Sequence, residues 1–351
     1  MDARVTADSV VDSLALHRWL RVRLNADSLS ISNASSPEAG GWSNETHLFD
    51  ASWTASGSIH TRRLVLRLAP SGPAMFRDYD LARQVHCLRY LRERSACPVP
   101  ELVADDLDGS VLGRPFYVMD FVDGQIPADD RPTFSEAGFL AEADVRAQRR
   151  FYDNCIDALA SIHETRVDAS CAAKLARGSA GTTALEKEVR WLSDLSNWGR
   201  GPAPQPTLER AFAWVLANLP NDASAVMLWG DARPANMVVR DFEIVALLDW
   251  ELASLGPAEL DLFWFLEMNR MRANGRSLPG FPTSAATITG YEARSGRIVR
   301  NAEFYTLYSA LKIAVLMLRH LRVAVDRGQI PEHHRVLTDN TATRRLRELL
   351  P

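Results

Sequence analysis

Three oxygen-bearing side chains surround a pair of β-type runs in the second half of the chain, and this pattern constrains the fold more than any other. Residues 237–239 and 244–248 are apolar, and the polar stretch between them is typical of a turn. If the two runs pair as an antiparallel hairpin, Asn236 enters the first strand and Asp249 leaves the second, so both lie at the same open end. Asp231 precedes them on a proline-containing loop. The sequence therefore predicts that Asp231, Asn236 and Asp249 converge.

These residue types suit phosphoryl transfer. That reaction needs a carboxylate to orient the attacking hydroxyl group, and hard oxygen ligands to hold magnesium against the phosphates of a nucleotide. The spacing Asp-x-x-x-x-Asn alone occurs by chance in many proteins. The hairpin, the second Asp and the downstream run Asp-Leu-Phe-Trp-Phe at residues 261–265 favour the catalytic interpretation. A zinc hydrolase is disfavoured, because the sequence has no His/Asp/Glu cluster at zinc-ligand spacing.

Residues 228–265 resemble the aminoglycoside phosphotransferase-like family, which includes antibiotic kinases, choline kinase-like enzymes and kinase-like domains linked to acyl-CoA dehydrogenases. The family signature is His-Gly-Asp-x-x-x-x-Asn followed by Ile/Leu-Asp-Trp/Phe-Glu. Here Trp229 replaces the His, which is generally a structural support, and the form Trp-Gly-Asp-Ala-Arg resembles a bacterial branch of the family.

The resemblance implies a role for each matching residue. Asp231 is the catalytic base or hydroxyl-orienting group, and Asn236 and Asp249 are the magnesium ligands. Glu251 is a candidate for a second-metal or water contact. Asp261 accepts hydrogen bonds from the catalytic loop as a structural brace.

The resemblance also implies an α+β, bilobal, protein-kinase-like fold. Residues 1–122 form an N-terminal nucleotide-binding lobe around a small antiparallel β-sheet, and the hinge lies at about residues 119–124. Residues 125–351 form a larger, mainly helical lobe for catalysis and acceptor binding. Apolar residues at helical spacing predict helices in both lobes; they lie near residues 10–24, 77–94, 151–162, 185–199, 212–216, 260–271, 305–325 and 334–350.

The N-terminal third has the element order of a kinase nucleotide lobe. A helix and a short strand come first, and β-type runs follow at residues 46–51 and 63–68. The loop before them contains two adjacent glycines, which make an ordinary turn in many proteins and close over the nucleotide phosphates in kinases. By position, the resemblance assigns phosphate contacts to Ser43 and Asn44.

Arg67 stands where related kinases place a phosphate-pairing Lys, and its guanidinium can supply the same charge. The alternative is a solvated strand residue. Gln84 falls where a Glu usually pairs with that cation, and a Gln can hydrogen-bond Arg67 but cannot neutralise it. A predicted strand at residues 115–122 resembles the kinase hinge, which assigns adenine contacts to the Asp120 carbonyl and the Val122 N–H.

Arg270, Arg272 and Arg276 lie at the end of a predicted helix. Like-charged residues in such places are usually solvated. The alternative is a cationic edge for an anionic acceptor such as CoA or a phosphate ester.

Composition narrows the class of protein. The 351 residues carry a net charge of −4 and a pI near 6.1, which gives no global indication of nucleic-acid binding. No apolar run is long enough to span a membrane, and the N-terminus lacks the order of a signal peptide. The four cysteines show no zinc or redox spacing, so we expect reduced, mostly buried thiols in a cytoplasmic protein.

The leading hypothesis is an ATP- or GTP-dependent, magnesium-requiring phosphotransferase acting on the hydroxyl group of a small molecule. The replacements at Trp229, Arg67 and Gln84 motivate a second hypothesis, a nucleotide-binding regulatory pseudokinase without transfer activity. A third is an aminoglycoside antibiotic phosphotransferase. The sequence identifies neither the acceptor nor the oligomeric state.

Overall fold

The computed structural model describes residues 10–36, 44–72, 74–77, 79–178, 180–221, 224–273 and 275–351. The chain forms two compact units. The first contains the described residues up to Arg89 together with Pro100–Val122, and the second contains Tyr90–Val99 and Asp123–Pro351. Strands dominate the first unit and helices the second, so the predicted α+β class is confirmed.

The first unit is built on a five-stranded antiparallel sheet with the strand order β1-β2-β3-β5-β4. Its elements are α1 (Leu14–Arg23), β1 (Ser28–Ser35), β2 (Glu45–Ala55), β3 (Ser58–Leu68), α2 (Leu81–Arg94, which continues into the second unit), β4 (Leu102–Asp106) and β5 (Phe116–Asp120).

The alternating side chains of β3 show which face of the sheet is buried in the core. Leu64, Leu66 and Leu68 are buried on one face, in a core cluster that also contains Leu16 and Leu20 of α1. Because successive strand residues point to opposite faces, the side chain of the intervening residue 67 leaves this core.

The second unit consists mainly of helices, with two short two-stranded sheets, β6-β9 and β7-β8. Its elements are α3 (Val145–Glu164), α4 (Ala169–Leu175), α5 (Ala184–Gly199), α6 (Pro206–Ala217), β6 (Val226–Leu228), a 3-10 turn (Pro234–Asn236), β7 (Met237–Arg240), β8 (Glu243–Leu247), β9 (Ser254–Gly256), α7 (Glu259–Ala273), α8 (Ser284–Ser295), α9 (Ala302–Asp326), a 3-10 turn (Arg335–Leu337) and α10 (Thr341–Leu349).

The predicted hairpin is confirmed. β7 and β8 are antiparallel, with Met237 opposite Leu247 and Arg240 opposite Glu243. The turn residues Asp241 and Phe242 both have positive φ angles, +51° and +64°. Two such residues are typical of the tight turn whose twist matches the flanking strands.

Several expectations differ from the structure in detail. The predicted helix at 77–94 begins only at Leu81, and the last predicted helix is interrupted, because Asn340 caps a new helix after a 3-10 turn. Strand β4 and helix α8 were not predicted. Ser43 and the glycine loop before it lie outside the described residues.

All four cysteines are buried and form no disulfide, as predicted. Burial raises the pKa of the Cys171 thiol to about 11. In the part of the chain that the structure describes, no helix combines the length and apolar character needed to cross a membrane.

Candidate active site

One buried carboxylate binds the backbone at the start of the loop from Trp229 to Asn236. Asp261, near the start of α7, accepts hydrogen bonds from the backbone N–H groups of Trp229 at 2.7 Å and Gly230 at 2.8 Å. His163 contacts the same carboxylate through Nε2 at 3.2 Å. The predicted brace role of Asp261 is thus confirmed, and the buried His163 also has a structural role, since its other ring nitrogen contacts the Tyr291 hydroxyl at 2.7 Å.

Gly230 fits this loop because it has no side chain. Its φ angle is +86°, in the left-handed region that favours glycine. A Cβ atom at this position would overlap the backbone carbonyl oxygen of Leu252. The motif glycine therefore allows the chain to turn directly before Asp231.

Asp231 is buried, and three donors fix its carboxylate. Oδ1 accepts a hydrogen bond from the indole Nε1 of Trp264 at 3.0 Å. Oδ2 accepts from Asn236 Nδ2 at 2.8 Å and from Arg233 Nε at 2.9 Å. An ionised carboxylate can accept about four hydrogen bonds, so these donors set its orientation and leave Oδ1 able to accept one more.

The hairpin brings Asn236 and Asp249 to the same end, as the sequence predicts. The backbone N–H of Leu248 donates to the carbonyl of Asn236 at 2.8 Å, which places Asp249 one residue beyond this contact. Asp249 has a φ angle of +59°, unusual for a residue other than glycine. The amide oxygen of Asn236 and the carboxylate of Asp249 are hard oxygen donors of the kind that magnesium prefers, so the residues present fit that ion.

Trp229 supports the chain at Leu248, directly before Asp249. It is fully buried, and its Nε1 donates to the carbonyl of Leu248 at 2.9 Å, directly before Asp249. Its ring packs against Trp250, with centroids 5.8 Å apart. The Trp that replaces the family's usual His therefore acts as a structural support.

Arg233 has a role that the sequence did not reveal. Its guanidinium contacts Asp231 through Nε and Asp129 through Nη1. Burial alone lowers the pKa of Arg233, but the nearby carboxylates of Asp231, Asp129 and Asp249 raise it above its usual value. A permanent positive charge thus contacts the candidate base Asp231 and interacts electrostatically with the candidate metal ligand Asp249.

Of the three arginines considered above, Arg276 lies beyond the end of α7 and is exposed, as the solvated alternative expects, whereas Arg270 and Arg272 form ion pairs. Arg272 Nη2 binds Asp129 at 2.6 Å, which joins it to Arg233. Arg270 Nε binds Glu267 at 2.9 Å. Both cations are paired with carboxylates within the second unit.

Lys312, on α9, also contacts the loop. Its Nζ donates to the carbonyl of Gly230 at 2.6 Å and lies 4.5 Å from the ring centroid of Trp264, which itself binds Asp231. Lys312 is buried, and this burial lowers its pKa despite nearby carboxylates. No sequence motif indicated this residue, because it is 82 positions from Gly230.

The residues that were predicted to contact the nucleotide, and that the structure describes, lie in the first unit. Asn44, directly before β2, is buried, and neither of its amide atoms has a hydrogen-bond partner among the described residues. Arg67, on β3, donates from Nη1 to Thr46 Oγ1 at 2.8 Å. It lies opposite Tyr117 in the sheet, and the Tyr117 hydroxyl donates to Gln84 Oε1 at 3.1 Å.

Asp120 ends β5, and its side chain accepts a hydrogen bond from Arg62 at 2.9 Å. Phe121 N–H donates to the carbonyl of Arg63 at 3.0 Å, and Val122 is the last residue of the first unit. The two residues predicted for the hinge, Asp120 and Val122, thus lie at and just after the end of β5.

Phosphotransferases of known structure share this fold. A candidate aminoglycoside phosphotransferase from Ralstonia eutropha has a TM-score of 0.67 and 21% identity, covering 96% of this chain and 95% of that one. A thermostable mutant of aminoglycoside phosphotransferase APH(4)-Ia, in ternary complex with AMP-PNP and hygromycin B, has a TM-score of 0.56 and 13% identity, covering 96% and 98%. The kinase-like fold is confirmed.

Curated relatives match the chain over part of their length. Acyl-CoA dehydrogenase family member 11 of Homo sapiens is 27% identical over 269 residues, which cover 71% of this chain and 32% of the relative. The chain thus spans about a third of the length of that protein. The model of the phosphotransferase enzyme family (APH) matches residues 36–296. The chain therefore belongs to this family.

Proposed function

We propose that the protein is an enzyme that transfers the γ-phosphoryl group of ATP or GTP to a hydroxyl group of a small molecule with the help of magnesium, and that Asp231 is the catalytic base. The observation that carries this proposal is the Asp231 carboxylate, buried and fixed by Trp264, Arg233 and Asn236, with Oδ1 able to accept one more hydrogen bond.

Asp231 would use this remaining capacity to orient the acceptor hydroxyl. As the hydroxyl oxygen forms a bond to the γ-phosphorus, the bond from that phosphorus to the bridging oxygen breaks and the nucleoside diphosphate leaves. Asp231 takes the hydroxyl proton. Because phosphoryl transfer has little need for covalent catalysis, positioning of this kind supplies much of the rate enhancement.

Asn236 and Asp249 are the proposed magnesium ligands. The hydrogen bond from the Leu248 N–H to the Asn236 carbonyl supports this assignment, because it holds Asn236 next to the residue that directly precedes Asp249. When bound, magnesium neutralises charge on the nucleotide phosphates. Arg233 balances the carboxylates of Asp231 and Asp129 and stays charged throughout.

In the first unit, we assign phosphate contacts to Ser43, Asn44 and Arg67. The buried Asn44 amide without a described partner supports this, because buried polar groups are normally hydrogen-bonded. The backbone groups of Asp120 and Val122 are the proposed adenine contacts. The AMP-PNP bound to the structurally similar APH(4)-Ia supports a nucleoside triphosphate as donor.

The substitution Asp231→Asn tests this proposal. It should reduce transfer from ATP to a panel of small alcohols by about a thousandfold, because Asn cannot accept the proton. Nucleotide affinity, measured by calorimetry, should stay within about twofold of the wild type. Asp241→Asn is the matched control, since Asp241 is exposed in the hairpin turn and Asn tolerates its positive φ angle.

Wild-type turnover in Asp231→Asn would contradict the assignment of the base. If the wild-type protein bound nucleotide but phosphorylated no member of a broad panel, the regulatory alternative would be favoured instead.

A further inference from the structure

The second unit contains a pocket of about 380 Å³ beside the C-terminal half of α7. We call it the Asn269 pocket. The residues that decide its chemistry are Asn269, Arg270, Phe134, Tyr152, Leu278 and Phe281. A volume of this size suits a small organic molecule rather than a single ion or water.

Asn269 is a buried polar residue of the pocket whose hydrogen bonds are not satisfied among the described residues. The residue is 8% exposed and lines the pocket, yet neither its amide oxygen nor its amide nitrogen has a hydrogen-bond partner in the described part of the chain. Buried polar side chains normally have such partners. A ligand that both accepts and donates a hydrogen bond would satisfy the two atoms together.

The walls of the pocket are largely aromatic. The Phe281 ring centroid lies 4.7 Å from that of Tyr152 and 6.1 Å from that of Phe134. The Tyr152 hydroxyl is already bonded to Thr287 at 2.9 Å, so this residue offers its ring rather than its oxygen. Such walls favour an apolar ring or chain.

The charges around the pocket disfavour a polycation. Among the described residues that line it, none is acidic. Its one arginine, Arg270, is paired with Glu267, which also accepts a hydrogen bond from Arg345 at 3.0 Å. A polyamine such as an aminoglycoside would find no carboxylate here, and an anion would meet an arginine whose charge is already balanced.

The pocket shares its framework with the candidate catalytic loop. Asn269 lies five positions after Trp264 on α7, about 8 Å along the helix axis. Ser135, on the pocket wall, donates through its hydroxyl to the carbonyl of Arg272 at 3.3 Å, and the Arg272 side chain reaches Asp129. Asp129 in turn binds Arg233, the neighbour of Asp231.

We infer that the Asn269 pocket binds an uncharged small molecule that combines an apolar ring or chain with an amide or hydroxyl group. We also assign this molecule as the phosphoryl acceptor, and that assignment rests on the proposed function. Binding of the molecule to the Asn269 pocket does not depend on the proposed function.

Titration by ligand-observed NMR, without nucleotide, tests the inference. The probes are 2-phenylacetamide, phenylacetate and 2-phenylethylammonium, which share a ring and differ in the charge of the head group. The amide should bind at least about tenfold more tightly than either ion. Asn269→Leu should weaken amide binding by about tenfold, the usual value of a well-placed hydrogen bond. Asn221→Leu, the same change at an exposed position, should leave it unchanged.

The inference is overturned if no probe binds, if either ion binds as tightly as the amide, or if Asn269→Leu binds like the wild type. Should Asn269→Leu fail to fold, Ala273→Phe decides, since Ala273 lines the pocket and the larger ring fills it. Loss of amide binding supports the inference, and unchanged binding overturns it. A failure of phosphoryl transfer alone would count against the proposed function and not against the pocket.

Discussion

The candidate catalytic loop of the second unit and the predicted nucleotide contacts of the first unit are stabilised in different ways. The loop depends on buried side chains from distant parts of the chain, namely Asp261, Trp264 and Lys312. Arg67, in contrast, lies on a strand that pairs on both sides within the sheet. Many sequences can form such a ladder, whereas few supply these side chains. Substitutions beneath the loop should therefore cost more than substitutions in the sheet.

The largest contrast should appear between two glycines with positive φ angles. Gly230→Ala would force a Cβ atom into the Leu252 carbonyl, whereas at Gly57 a Cβ would meet no atom within 4 Å. We expect Gly230→Ala to lower the free energy of unfolding by about 3 kcal/mol or more, and Gly57→Ala by about 1 kcal/mol from backbone strain alone. Denaturant unfolding measures both. Equal losses would show that the loop is no more constrained than the β2-β3 turn.

A smaller effect, on catalysis, is expected from Lys312→Met. The change removes the hydrogen bond to the Gly230 carbonyl and the charge over Trp264, so the orientation of Asp231 should relax. We expect kcat to fall about tenfold to a hundredfold, with nucleotide affinity unchanged. Lys174→Met, at an exposed position on α4, is the control. An unchanged kcat would mean that Lys312 does not position the loop.

In the first unit, Arg67→Ala should weaken nucleotide binding about tenfold, because it removes the proposed charge-assisted contact to phosphate. Arg67→Lys retains the charge and should recover most of the affinity. Calorimetry measures both variants. If Arg67→Ala bound nucleotide like the wild type, Arg67 would be a solvated strand residue, the alternative that the sequence left open.

The effect that is smallest near neutral pH, and that grows only in acid, concerns a histidine. Burial, aided by the charge of Arg327, lowers the pKa of His320 to about 4, against the opposing effect of Asp130. The unfolded chain, with a His pKa near 6.5, therefore takes up the proton first, and stability should fall as the pH drops from about 6.5 to about 4. His320→Gln should reduce this slope, and the same change at the exposed His333 serves as the control. An identical slope in His320→Gln would contradict the assignment.

Local signals in the sequence predicted much of the fold. The hairpin was predictable because its strands are apolar runs and its turn is polar, and Asn236 and Asp249 followed from it directly. Strand β4 was missed because it is short and carries two acidic residues at its end. The helix start at Leu81 was placed too early, since apolar periodicity marks a helix more clearly than its ends.

The site was predictable only where its contacts are close in sequence. Arg233 stood within the recognised motif, but its salt bridge to Asp129 joins residues 104 positions apart. Arg272 was interpreted as solvated or substrate-facing, because its partner Asp129 is 143 positions away. Periodicity and motif spacing contain no information on such pairings, which depend on how the helices pack.

The most direct test of the central claim, that the loop and hairpin form a working metal and phosphoryl-transfer site, is nucleotide binding by calorimetry. Wild type and Asp249→Ala should each be titrated with ATP and GTP, with and without magnesium. The account predicts magnesium-dependent binding of at least one nucleotide by the wild type and its loss in Asp249→Ala. Binding that is indifferent to magnesium and to this substitution, or no binding of either nucleotide, would contradict it.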